Sequence, residues 1–271
     1  MRKYFMKKSG VLILPTLTIN EINIHYDTKG DGIPIIFIHP PLLTSTIFKF
    51  QLEHFSKKYK VITFDIRGHG KSDYSDEPIT YPLIVEDIVA LLDELNIEKA
   101  FICGYSTGGS IVLEFLLQHP ERAFGGIVIS GMSEVKDRIL KLRLGAAINL
   151  SNDKTIPFLT YMVTRGNANS SQTFNSLRKG AKEGHSINIK QYYLYSRNYN
   201  CTKFLQEIQH PVLLTYGAKN KTFHQYAQLL HENLPHNELI FIENAKHQIP
   251  TKEPKKLHDA IHRFIQSYKR E

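Results

Sequence analysis

The stretch Gly104-Tyr105-Ser106-Thr107-Gly108 decides how the rest of this 271-residue chain is interpreted. It follows the apolar run Ala100–Cys103 and precedes a run whose apolar residues have helical spacing. A G-x-S-x-G turn between a strand and a helix lifts the serine hydroxyl clear of the sheet edge, and the close approach there requires both glycines. The sequence therefore predicts that Ser106 is a nucleophile, and that the chain supplies a base and an acid to serve it.

Apolar runs alternate with helical patterns on both sides of this turn. Strands are predicted at 17–19, 22–26, 35–38, 61–64, 101–103, 126–129, 212–216 and 239–242. Helices are predicted at 45–57, 82–95, 107–119, 222–233 and 254–268. This alternation is typical of a mostly parallel sheet covered by helices on both faces, which is an α/β fold. The apolar run Val11–Leu14 is interpreted as a surface leader into the first strand.

The segment 133–206 interrupts the alternation. It is helical or loop-like, rich in Asn, Ser and Tyr, and it contains no clear strand. We therefore expect an insertion over the carboxyl ends of the strands, where folds of this class bind ligands.

The positive charge of the chain is concentrated in the same segment. The formal net charge is +8, and residues 133–206 carry twelve Lys/Arg against four Asp/Glu, so the rest of the chain is neutral. A solvated lysine-rich surface is one interpretation, and attraction of anionic substrates or of an acidic surface is the sharper one. Nucleic-acid binding is not expected, because the basic residues form no aromatic–basic motif of a known binding module.

Composition also bears on the location, membrane association, cofactors and partners of the protein. Two cysteines make no disulfide framework, which favours a reducing, cytoplasmic location. No apolar run is long enough to span a bilayer. Neither a metal ion nor a cofactor is expected, and the partner we expect is a small-molecule ester or acyl substrate.

The candidate base is His247, one of thirteen histidines. It lies in Asn244–Pro250, directly after the last predicted strand and before the final helix. A loop in that position returns to the carboxyl edge of the sheet, beside the Ser106 turn.

The order of these features resembles the α/β-hydrolase superfamily, and its capped, esterase/perhydrolase-like branch in particular. Asp65-Ile66-Arg67-Gly68-His69-Gly70-Lys71-Ser72 matches the D-x-R-G-x-G-x-S motif of that family, and Ile38-His39-Pro40 stands where its oxyanion loop begins. The resemblance covers nearly the whole chain. It implies an α/β-hydrolase fold with an eight-stranded sheet flanked by helices. It also implies a core formed by 1–132 and 207–271, and a helical cap, 133–206, inserted after the sixth strand.

The acid position departs from the family pattern. The family has G-x-x-D after its seventh strand, whereas this chain has Gly217-Ala218-Lys219-Asn220. An amide can hold an imidazole by a hydrogen bond, but it cannot offset the charge of an imidazolium. We rank Asn220 first as the positional equivalent and Glu134 second as a working acid. Asp137 and Glu243 are further alternatives.

The oxyanion loop is the second departure. The family resemblance implies one donor from the amide of Thr107 and one from the loop after the third strand. That loop carries Pro40-Pro41, and proline has no N–H. The loop donor is therefore expected from Leu42 or Leu43.

Three functions fit these residues. The first is a serine hydrolase of small esters or related acyl compounds, acting through Ser106 and His247. The alternative is a non-catalytic or weakly catalytic protein that keeps the fold and binds or signals through its pocket. A third interpretation uses the same site for C–C bond cleavage or perhydrolysis, since one constellation hosts several chemistries in this superfamily.

Overall fold

The computed structural model of the chain describes residues 16–268, and these residues form an eight-stranded sheet. The predicted leader Val11–Leu14 lies outside the described residues. The strands are β1 Thr16–Ile19, β2 Ile22–Lys29, β3 Pro34–Ile38, β4 Lys60–Phe64, β5 Ala100–Tyr105, β6 Ala123–Ile129, β7 Val212–Gly217 and β8 Asn237–Ile242. Their order across the sheet is β1-β2-β4-β3-β5-β6-β7-β8.

Strand direction follows the predicted pattern. β1 pairs with β2, and β2 with β4, in antiparallel fashion, while every pairing from β4 to β8 is parallel. β5 is buried throughout its length, as a central parallel strand covered on both faces should be. The carboxyl ends of β5, β6 and β7 therefore lie side by side at one edge of the sheet.

Helices cover both faces of the sheet and bury two separate apolar clusters. One face packs against α2 Tyr81–Glu94, α3 Thr107–Gln118 and α8 Lys221–Asn233. The other face packs against α1 Lys49–Phe55, α9 Ile249–Lys252 and α10 Pro254–Tyr268. The helix predicted over 45–57 consists of a 3-10 turn, Ser45–Phe48, followed by α1. This architecture confirms the predicted α/β-hydrolase fold class.

Four helices occupy the chain between β6 and β7. They are α4 Arg138–Leu150, α5 Ile156–Asn167, α6 Ser171–Ala181 and α7 Ser186–Asn198. The segment is closed at its base, where Glu134 and Asn200 form an isolated antiparallel bridge and the Cys201 amide donates to Ser133 O at 3.0 Å. The division of the chain into a core and a cap stays a prediction.

The helices do not have the properties of membrane spans, within the part of the chain that the structure describes. Within residues 16–268, no helix combines the length and the apolar character that a bilayer span requires.

Candidate active site

Ser106 lies at the turn between β5 and α3 in a backbone conformation that residues other than glycine rarely adopt. Its φ is 57° and its ψ is −121°, and its amide donates to Ile129 O at 2.8 Å. A Cβ on Gly104 would lie 2.0 Å from Gly108 O, and a Cβ on Gly108 would lie 2.2 Å from Ile38 O. Neither glycine can therefore be replaced without moving the backbone, which is the physical reason for the G-x-S-x-G spacing.

The structure brings His247 to this serine. His247 Nε2 lies 3.0 Å from Ser106 Oγ, although the two residues are 141 positions apart. The loop that carries His247 packs closely on the end of β7, because a Cβ on Gly217 would lie 2.2 Å from Lys246 O. The imidazole ring lies between Phe223 and Tyr105, with ring centroids 4.4 and 5.4 Å away.

The imidazole of His247 is held in its neutral form. Burial, and to a smaller extent the positive charge of Arg143, lower its pKa from 6.5 to about 4. At neutral pH the ring therefore has one protonated and one free nitrogen, so it is able to accept a proton. Which nitrogen is free depends on the partner of Nδ1.

That partner is the side-chain amide of Asn220. Its Nδ2 lies 3.3 Å from His247 Nδ1. An amide nitrogen donates, so this orientation requires a free Nδ1 and places the ring proton on Nε2, facing Ser106. Such a tautomer cannot take the serine proton. The opposite amide orientation sets Oδ1 against an Nδ1–H and leaves Nε2 free to act as the base.

The other candidate acids have different partners. Glu134 accepts from Asn200 Nδ2 at 3.1 Å. Asp137 accepts from the Leu140 amide at 2.8 Å at the start of α4, and from the Tyr226 hydroxyl at 2.5 Å. The backbone carbonyl of Glu243 accepts from Lys256 Nζ at 2.8 Å. Within residues 16–268, none of these three carboxylates is hydrogen-bonded to His247, so a role as the orienting acid remains a prediction for each.

The predicted oxyanion donors lie on two adjoining elements. Thr107 is the first residue of α3, so its amide has no acceptor within the helix and sits at the positive end of the helix dipole. The loop after β3 passes beside α3, because Gly108 approaches Ile38 O. In that loop Leu42 is buried with a φ of 68°. Its role as a donor, like that of Thr107, stays a prediction.

His39 holds the loop after β3 in place, a role that the sequence did not reveal. It is fully buried, and burial lowers its pKa to about 4, so the ring is neutral. One ring nitrogen therefore donates and the other accepts. Nδ1 donates to Pro40 O and Nε2 accepts from the Ile66 amide, both at 2.9 Å. The carbonyl of His39 also accepts from the Tyr192 hydroxyl of α7 at 2.9 Å.

The D-x-R-G-x-G-x-S motif, residues 65–72, also supports the loop after β3. Asp65 accepts from the amides of Ser45 and Lys71 at 2.8 and 3.0 Å. Arg67, which is 1% exposed, makes a bidentate pair with Asp87 of α2 at 2.6 and 2.7 Å. A buried arginine needs such a partner, because an unpaired buried charge is costly. The motif thus has a structural role here.

Asn167 connects the helical segment to the parts of the chain next to Ser106 and His247. Its Oδ1 accepts from the hydroxyl of Tyr105, the residue before Ser106, at 3.0 Å. Its backbone carbonyl accepts from Thr251, four residues after His247, at 2.5 Å. All three residues are buried. Nothing local in the sequence marks Asn167, because its partners are 62 and 84 residues away.

Known proteins are similar to this chain in sequence and in structure. The family described as alpha/beta hydrolase fold matches residues 33–254. The AB hydrolase superfamily protein YisY of Bacillus subtilis is 24% identical over 269 residues, covering 92% of this chain and 98% of that protein. The 3-oxoadipate enol-lactonase 2 of Acinetobacter baylyi is 33% identical over 117 residues, covering 42% of this chain and 43% of that protein.

A solved structure extends the likeness to three dimensions. Est816, described as an N-acyl homoserine lactone degrading enzyme, superposes with a TM-score of 0.74 at 26% identity, covering 92% of this chain and 100% of that one. The family match spans most of the chain and includes both Ser106 and His247. The chain therefore belongs to the alpha/beta hydrolase family.

Proposed function

We propose that the protein is a serine hydrolase of small esters or related acyl compounds, including lactones. The observation that carries this proposal is the 3.0 Å contact between Ser106 Oγ and a neutral His247 Nε2 at a strained strand–helix turn. The relatives named as an enol-lactonase and as an N-acyl homoserine lactone degrading enzyme support a lactone as one bond that is broken.

The proposed reaction proceeds through an acyl-enzyme. Ser106 Oγ attacks the ester carbonyl carbon while His247 Nε2 removes the hydroxyl proton. The amides of Thr107 and Leu42 donate to the oxyanion of the tetrahedral intermediate. Collapse of this intermediate breaks the bond to the alcohol oxygen, which takes the proton from His247. A water molecule, deprotonated by the same imidazole, then attacks the acyl carbon. The bond from this carbon to Ser106 Oγ breaks, the acid leaves, and Oγ takes the proton back from His247.

Asn220 sets how fast this cycle runs. When its Oδ1 accepts from Nδ1–H, the tautomer is productive, yet the amide brings no negative charge to stabilise the imidazolium that forms. The low pKa of His247 has the same consequence, because a base with a pKa of about 4 is weak. We therefore propose slow turnover that persists into acidic solution.

The charge beside the site favours anionic substrates. Arg143 of α4 is exposed and takes part in no ion pair within residues 16–268, yet its charge reaches His247. A guanidinium whose charge acts on His247 also attracts a carboxylate on the substrate and stabilises negative charge that develops at the site. We therefore propose that esters or lactones carrying a carboxylate react faster than neutral analogues.

A second candidate function is ligand binding without turnover. The observation that favours it is the contact of Asn220 Nδ2 with His247 Nδ1, which selects the tautomer that cannot deprotonate Ser106. A protein of this kind would keep the fold and the pocket, and its ligand affinity would survive the loss of the serine hydroxyl.

A covalent probe separates the two candidates. We expect a fluorophosphonate to add one equivalent to the wild-type protein, detected by intact mass, and to add nothing to the Ser106→Ala variant. The His247→Ala variant should label at least tenfold more slowly, because proton transfer by a positioned base contributes about 10²–10⁴-fold. A folded wild-type protein that stays unlabelled, and that hydrolyses 4-nitrophenyl acetate no faster than Ser106→Ala, would refute the hydrolase and favour the binding protein.

A further inference from the structure

Exposed apolar side chains are concentrated on the helices between β6 and β7. Eleven large apolar side chains are exposed among the described residues, and eight of them belong to 133–206. Five of the eight lie on α4 and α5, and they are Ile139, Leu142, Phe158, Tyr161 and Met162. Leu142 keeps 73% of its surface exposed and Phe158 keeps 58%. A group of this kind on one surface usually marks an interaction site.

The five side chains lie on the outer sides of two adjoining helices. α4 buries Leu140, Leu144, Ala147 and Ile148, so Ile139 and Leu142 face away from the interior. α5 buries Leu159, Thr160, Thr164 and Asn167, so Phe158, Tyr161 and Met162 face outward in the same way. The helices pack against each other and are joined by the short connection 151–155. We call these five side chains and the neighbouring cations the α4–α5 surface.

Cations without an ion-pair partner among the described residues alternate with these apolar side chains along α4, the connection 151–155 and α5. The cations are exposed, and they are Arg138, Lys141, Arg143, Lys154 and Arg165. None of them takes part in an ion pair within residues 16–268, nor does any of the other basic residues of 133–206. The neighbouring acids are engaged elsewhere, since Asp137 binds Tyr226 and Asp153 accepts from Ser186 at 2.6 Å. The positive charge of this surface is therefore available to an outside partner.

We propose that the α4–α5 surface docks onto an anionic lipid bilayer, with both helices lying in the plane of the interface. The cations pair with acidic headgroups, and Leu142, Phe158 and Met162 enter the boundary of the acyl chains. Tyr161 suits the same depth, because its ring is apolar and its hydroxyl is polar. This arrangement places the protein on a membrane without a spanning helix.

The charge and the apolar character of the α4–α5 surface disfavour two other partners, a second copy of the chain and a small soluble anion. A second copy of the chain carries the same excess of positive charge, so two α4–α5 surfaces repel each other. A small soluble anion gains nothing from exposed leucine, phenylalanine and methionine side chains. A bilayer with acidic headgroups satisfies both components at once, because its surface is negative and its interior is apolar.

Vesicle sedimentation tests the proposal on the full chain. We expect binding to phosphatidylcholine vesicles that contain about one third phosphatidylserine, and loss of binding at about 0.5 M salt, where surface charges are screened. The Arg138→Gln/Lys141→Gln variant should bind about 30-fold more weakly, since each cation near such a surface contributes roughly a factor of five. Ile139→Gln/Leu142→Gln should also weaken binding at least tenfold. The matched control Lys57→Gln/Lys58→Gln removes two exposed charges beyond α1 and should bind as the wild type does.

Three outcomes would overturn the proposal. The first is an absence of binding to the anionic vesicles at low salt. The second is equal binding to vesicles of phosphatidylcholine alone, or equal loss in the Lys57→Gln/Lys58→Gln control, which would remove the role of α4. The third is a dimer, detected by sedimentation equilibrium and abolished by Ile139→Gln/Leu142→Gln, which would assign the surface to self-association. The assay does not use the Ser106 chemistry, so its result is independent of the proposed hydrolase activity.

Discussion

Replacing Asn220 by aspartate should raise the rate of the proposed ester hydrolysis. The new carboxylate would stand about 3.3 Å from His247 Nδ1, where the amide nitrogen now lies. At that distance an imidazolium and a carboxylate attract by about 5 kcal/mol at an effective dielectric constant of 20, and by about 1 kcal/mol in bulk water. Asn220 is half-buried, so the gain lies between these limits. Because 1.36 kcal/mol is a factor of ten in rate, we expect kcat to rise roughly 10²- to 10³-fold.

The pH profile gives a second measure of the same change. The Asn220→Asp carboxylate raises the pKa of His247, which burial and Arg143 now hold at about 4. The free base is the active form, so activity is lost as pH falls through this pKa. The acid limb of kcat/KM should therefore lie near pH 4 in the wild type and at higher pH in Asn220→Asp. Ester hydrolysis by stopped-flow absorbance from pH 3.5 to 8 measures both effects.

Matched variants decide how the result is interpreted. Asn198→Asp adds one exposed carboxylate on α7 and should leave both the rate and the profile unchanged. A rise of less than about tenfold in a folded Asn220→Asp protein would refute the view that the amide limits catalysis. If Glu134→Gln then reduced activity while Asn220→Asp did not raise it, the orienting acid would be Glu134.

Three further predictions concern the surroundings of the site. Arg143→Gln should move the acid limb of kcat/KM to higher pH, because a positive charge that lowers the pKa of the base is removed, and it should abolish any preference for carboxylate-bearing esters over neutral ones; an unchanged profile would contradict this. Thr251→Val should lower kcat about tenfold with little change in KM, since it removes the hydrogen bond that ties the segment after β8, which carries His247, to α5. Thr164→Val, which loses a buried hydrogen bond within α5, should lower only the melting temperature; equal kinetics in the two variants would refute the linkage. The free energy of unfolding should fall as pH drops from 6.5 toward 4, because His39 is protonated in the unfolded chain below about pH 6.5 but stays neutral in the folded protein until about pH 4. His39→Gln should flatten the dependence of the denaturation midpoint on pH.

Local patterns were sufficient to predict the fold. Each strand has a run of apolar residues, and each helix has its own spacing, so both signals lie within a few neighbouring residues. The turn at Ser106 was equally readable, because the clash distances at Gly104 and Gly108 admit no other residue type. The placement of His247 followed from the parallel sheet, since loops after neighbouring strands meet at one edge.

The supports of the site could not be predicted in the same way. Asn167 binds Tyr105 and Thr251 only because α5 packs beside the end of β5 and the segment that follows His247. The angle at which helices settle on a sheet depends on the packing of many side chains at once, and no local pattern encodes it. The hydrogen bond between Tyr192 and His39, which joins α7 to the loop after β3, was equally unpredictable from local patterns.

Arg143 joins the two proposals through one charge. It belongs to the α4–α5 surface, and its charge also lowers the pKa of His247. An acidic headgroup that pairs with Arg143 would cancel this effect, and the negative potential of the bilayer would favour the protonated imidazole further. Membrane contact should therefore raise the pKa of the base and make it stronger at neutral pH. We expect anionic vesicles to accelerate hydrolysis of a water-soluble ester more strongly for the wild type than for Arg143→Gln, because only the wild type has the Arg143 charge to be neutralised in addition to the effect of the bilayer potential. Equal acceleration of the two proteins would refute the link through Arg143.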